Sequence, residues 1–62
     1  MLNSISKEEF EKYMKVINTG KYNAITDAKE ASSEAGLSLE KWFEIIKTFD
    51  LLVEEWPEVY DR

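Results

Sequence analysis

Residues 37–56, LSLEKWFEIIKTFDLLVEEW, constrain this chain more than any other stretch. They hold both tryptophans, two of the three phenylalanines and most of the large aliphatic side chains. Leu39, Trp42, Phe43, Ile46 and Val53 recur at helical spacing, and Ile45, Phe49, Leu52 and Trp56 form a second, overlapping stripe. A helix apolar over two adjoining stripes needs neighbours on both sides, so the pattern predicts a central helix over about 39–55. Pro57 stops it, because the residue before a proline is driven out of helical angles. A bend near Asp50 is left open by the pattern, and residues 57–61 are expected to add one short turn.

The preceding chain predicts two more helices. In Ile5-Ser6-Lys7-Glu8-Glu9-Phe10, Ser6 is placed to cap the amide three residues on, and Glu9 to reach back to the Ser6 amide. Ile5 and Phe10 stand as a hydrophobic staple around that cap. A first helix over about 7–18 follows, with Phe10, Tyr13, Met14 and Ile17 on one face and Thr19-Gly20 as its stop. A second helix over about 24–35 takes Asn23 or Thr26 as its cap and ends at Gly36. Its apolar face is mostly alanine: Ala24, Ala28, Ala31 and Ala35, with Ile25 alongside. Leu37-Ser38-Leu39-Glu40-Lys41-Trp42 then repeats the staple-and-cap arrangement, with lysine in place of the reciprocal glutamate.

Nothing alternates as a strand would, so the expected fold is all-α, a compact three-helix bundle in a single domain spanning 1–62. A chain of this length buries only roughly 60% of its unfolded surface. With no cysteine, neither a disulfide nor a thiolate-held zinc can brace it. Stability is therefore expected from helix packing, or from a second copy or partner covering apolar surface. No stretch approaches the ~18–20 uninterrupted apolar residues of a membrane span, and the reading is of a soluble, cytoplasmic protein.

Histidine is also absent, which removes the commonest general base and leaves Ser4, Ser6, Ser32, Ser33 and Ser38 with no imidazole to activate them. The carboxylates follow no calcium-loop spacing, and two glycines cannot build a phosphate-cradling loop. The expectation is a non-enzymatic protein with no catalytic residue, metal or cofactor.

Residues 26–45, with Ala31, Ala35, Gly36, Leu37, Trp42 and Ile45 at the packing positions, resemble the helix-turn-helix motif of small transcription regulators. The resemblance implies a helix-turn-helix-like arrangement of the second and third helices. It also implies an alternative function, a dimeric DNA-binding regulator using Lys12, Lys15 and Lys21 for phosphate. The would-be reading helix departs from that pattern, offering Leu39, Glu40, Phe43 and Glu44 where DNA readers carry arginine, lysine, asparagine or glutamine. Residues 17–24 are similar to a short T-G-x-x-N segment in small uncharacterised proteins of phages of Gram-positive bacteria, with Ala24 where that family has methionine. This likeness implies a phage or prophage setting; a glycine and an asparagine capping two helices would spell the same letters.

Net charge decides between the functional readings. Residues 1–29 carry five lysines and four acids, a net of +1, whereas residues 30–62 carry nine acids against three cations, a net of −6. Charge of this sign repels duplex DNA and favours a protein partner with a basic surface. The leading expectation is thus a small acidic interaction or regulatory protein, a modulator of a host protein in the phage setting, with DNA mimicry as one form. A homodimer is also compatible. The docking surface is placed on the C-terminal segment, at Asp50, Glu54, Glu55, Trp56, Glu58, Tyr60 and Asp61. The competing account has Leu52, Val53 and Trp56 simply closing the core beneath solvated acids.

Overall fold

The start of the first helix is built as its sequence requires. In the computed structural model, which describes residues 5–60, the Glu9 amide donates to Ser6 Oγ at 3.2 Å and the Ser6 amide donates to Glu9 Oε1 at 2.9 Å. This reciprocal box launches α1 (Lys7–Ile17). Ile5 and Phe10, the two staple residues, are both buried in the core. Gly20 takes a positive φ beyond the end of the helix.

The second helix starts later than its alanine pattern suggests. Neither Asn23 nor Thr26 caps the helix itself, whose N-cap is Asp27 with no side-chain capping bond. Asn23 caps a turn ahead of it, its Oδ1 accepting from the amides of Ile25 and Thr26 at 2.8 and 3.0 Å, while its own amide donates to Asp27 Oδ2 at 2.9 Å. That exchange closes one turn over 24–27, but Asp27 leaves helical angles (φ −106°, ψ 24°), and α2 (Ala28–Ala35) begins only after it. The start at 24 is therefore corrected to 28, and Ile25 lies exposed on the separate turn instead of alongside the alanine face. Ala28 and Ala31 are buried as expected, with Ser32 beside them donating its hydroxyl to the Lys29 carbonyl at 3.0 Å. At the C-terminus the Leu37 amide bonds Ser32 O and the Gly36 amide bonds Ser33 O. This paired closure needs a left-handed residue, which Gly36 supplies at φ 75°.

The continuous helix expected over 39–55 is two helices, α3 (Leu39–Lys47) and α4 (Phe49–Glu55). Thr48 lies between them at φ −110°, ψ 24°. Its hydroxyl donates back to the Glu44 carbonyl at 2.8 Å, a local bond that competes with regular helix geometry and leaves α4 without a side-chain cap. Trp56 is non-helical, as its position before proline demands, and Pro57 opens a four-residue α5 (Pro57–Tyr60) at the first helical position, where the amide would have no intrahelical partner.

This break changes which helix is central. α1 packs against α2, α3 and α5, and its aromatic side chains meet rings from both halves of the broken segment. Tyr13 lies 4.6 Å from Trp42 between ring centroids, and Phe10 meets Phe49 edge-on at 5.8 Å and Trp56 at 6.4 Å. Trp42 from the first half and Phe49 and Trp56 from the second thus close on α1 from two directions, while Leu39 and Phe43 of the first stripe stay exposed. The result is all-helical among the described residues, with a radius of gyration of 10.6 Å. A single packed body of this length takes about 10–11 Å.

Candidate interaction surface

Two adjoining halves of the broken segment face solvent, and they differ in chemistry. On α4, residues 50, 51, 54 and 55 fall within one arc of the helical wheel. All four are exposed: three carboxylates, Asp50, Glu54 and Glu55, around Leu51, which is 43% exposed. Among the described residues none of the three carboxylates forms an ion pair. Nothing on the opposite side of α4 is free in this sense, since Leu52 is fully buried and Phe49 and Val53 pack on the core.

The remaining residues of the proposed docking segment are divided by the fold. Trp56 is half-buried with its ring tilted against Phe10, so most of its apolar surface serves the interior. Tyr60 stands edge-on to Phe49 at 5.9 Å yet stays 48% exposed. The Glu58 carboxylate lies 3.0 Å from Lys7 Nζ, tying α5 to the start of α1. Both side chains of that pair are about half exposed, 55% and 47%, so the bridge contributes little, under about 1 kcal/mol. Asp61 lies outside the described residues. The structure therefore brings Asp50, Glu54 and Glu55 together and sets Glu58, Trp56 and Tyr60 to other contacts.

Core closure is shared between two residues, only one of which the sequence pattern singled out. Leu52 is fully buried, and Val59, read only as part of a short terminal turn, is 1% exposed. A four-residue turn is too short to carry a helical period, so the sequence holds no signal that marks Val59 as inward. Leu51 falls in neither apolar stripe and is 43% exposed, so it joins the surface between the carboxylates.

On α3 the outward face is apolar. Leu39 and Phe43, one helical turn apart, are 44% and 43% exposed, and Ile46 is half-buried next to them. Glu40, Phe43, Glu44, Ile46 and Lys47 line a shallow groove there. Leu37 and Trp42, the staple of this helix, lie on the opposite side in the core, where Trp42 Nε1 donates to the Ala24 carbonyl at 2.9 Å. Lysine at the box position of α3 has acquired a different role: Lys41 Nζ sits 3.9 Å from Glu9 Oε1, the glutamate of the first box.

The lysines invoked for phosphate contact, Lys12 and Lys15, are exposed on α1, and Lys21 lies over the Tyr22 ring at 5.7 Å in the loop that follows. Among the described residues no three carboxylates converge as a metal site would require, and no helix is long and apolar enough to cross a membrane. Compared with known proteins, the chain matches no family model, no curated protein and no solved structure.

Proposed function

We propose that this protein works by binding another protein that carries a basic surface, and that the outer face of α4 is where it binds. The observation carrying this reading is the grouping of Asp50, Glu54 and Glu55, none of them ion-paired among the described residues, around the exposed Leu51. An apolar side chain ringed by like charges favours a partner that covers the leucine while supplying lysine or arginine to the carboxylates. Such charges speed encounter and select the partner more than they add raw affinity. Tyr60, about half exposed, extends the surface with a residue type that often dominates interface energetics. In the phage setting that the T-G-x-x-N segment suggests, the partner is a host protein, and a row of carboxylates on a helix would occupy a groove built for nucleic acid.

Affinity capture from a bacterial lysate tests the reading, using the chain and an Asp50→Asn/Glu54→Gln/Glu55→Gln variant. Glu58 is left intact because it also holds α5 against α1 through Lys7. The expected result is a partner that elutes with rising salt, is lost from the variant, and disappears without any change in circular dichroism or melting. Undiminished capture by the variant would remove the α4 face from consideration.

A further inference from the structure

We infer that a second copy of this chain packs on the outward face of α3, the two α3 helices running antiparallel about a two-fold axis beside Phe43. The face is apolar where a soluble domain can least spare it. Leu39 and Phe43 are 44% and 43% exposed on adjacent turns, with Ile46 half-buried beside them, so three large side chains form one strip along the helix. A small domain that leaves such a strip open gains by covering it.

What identifies the cover as a copy of itself is the order of charge along the strip. Glu40 precedes the apolar centre and Lys47 follows it, seven residues apart, which is nearly two helical turns and about 10 Å of rise. Both therefore lie on the same flank, and both are exposed. Among the described residues neither forms an ion pair. A two-fold axis perpendicular to the helices keeps each flank facing its own counterpart while reversing direction. It sets Glu40 of one copy against Lys47 of the other, twice, with the Phe43 rings meeting at the centre. Glu44 lies further round the helix and is half-buried, so it stays clear of the seam. A parallel two-fold arrangement would put Glu40 and Lys47 level with their own counterparts but on opposite flanks of the seam, and neither ion pair could form. The inference is independent of the α4 face, which uses other residues.

Sedimentation equilibrium from about 1 µM to about 1 mM tests it, at a range spanning weak to moderate dimers. The chain is expected to shift from monomer to dimer within that range. Glu40→Lys alone and Lys47→Glu alone should each weaken the dimer by about tenfold, since each turns both ion pairs into repulsions. The Glu40→Lys/Lys47→Glu double variant should restore it. Phe43→Asp should give a monomer with unchanged circular dichroism, and if that variant unfolds, the charge series still decides because both of its positions are exposed. A chain that stays monomeric throughout overturns the inference and leaves the face to a different protein. So does a dimer indifferent to Phe43→Asp, or a double reversal no better than the single changes.

Discussion

Trp42 ties α3 both to α1 and to the turn before α2. It is fully buried, its ring lies against Tyr13 of α1, and its Nε1 donates to the carbonyl of Ala24 in the turn before α2. Truncation removes the packing and also strands a carbonyl. Trp42→Ala is expected to cost about 3–5 kcal/mol, enough to leave a domain of this size unfolded at 25 °C, and thermal melting would register it directly. Tyr13 offers a second test at this scale, through pH. Burial raises its hydroxyl above the usual 10.0, because the phenolate would have to form in an apolar setting. Its contribution to stability is thus fully present below pH 10.0, the unfolded value, and is lost as pH rises toward and through the higher folded value. Chemical denaturation of the protein and of Tyr13→Phe at stepped pH should show the two curves converging or crossing above pH 10, with the phenylalanine variant falling less steeply. Parallel curves would mean that Tyr13 ionises freely.

At the scale of elements, the four residues of α5 close the structure despite their small number. Val59 is 1% exposed, α5 packs on both α1 and α4, and the Lys7–Glu58 bridge lies on its outer side. Burial of an apolar group outweighs a half-exposed ion pair. Val59→Ala, which deletes two buried carbons, should therefore cost about 2 kcal/mol, whereas Glu58→Gln should cost less than about 1 kcal/mol. A denaturant titration of the two variants gives the ranking, and the reverse order would show that α5 is held by charge. The same comparison explains why Glu58 is a poor marker of partner binding: it has a local task.

For the molecule as a whole, charge is segregated by sequence half and, within the second half, by helix. α4 is purely acidic on its outer face, whereas α3 carries Glu40, Lys41, Glu44 and Lys47 and is neutral. Neither face supplies the cations that phosphate binding requires, since non-specific affinity for duplex DNA comes mostly from neutralising phosphates. Mobility shift at about 0.15 M salt should accordingly detect no complex with random or genomic duplex fragments. Sub-micromolar binding that weakens steeply with salt would instead point to Lys12, Lys15 and Lys21, and would favour the regulator reading over the protein-binding one.

The caps, stops and helical content were legible in the sequence because they depend on residues three or four apart. Ser6 with Glu9, Ser38, the two left-handed glycines and Pro57 all act within one turn, and each is found where its letters place it, whereas Asn23 caps only the separate turn before α2. The acidic character of residues 50–55 was legible too, as composition. Tertiary structure decided the rest. The break at Thr48 follows no single local rule: threonine is tolerated within helices, and the apolar pattern runs on through 49–56 without interruption. The Thr48 hydroxyl bond to Glu44 together with the packing of Phe49 on Phe10 and Tyr13 fixes where the segment turns. The second stripe already set Leu52 and Trp56 inward and left Leu51 out; what only the tertiary structure decides is that Leu39 and Phe43 of the first stripe remain uncovered. Exposure depends on what lies across from a residue, and periodicity along one helix carries no information about its neighbours.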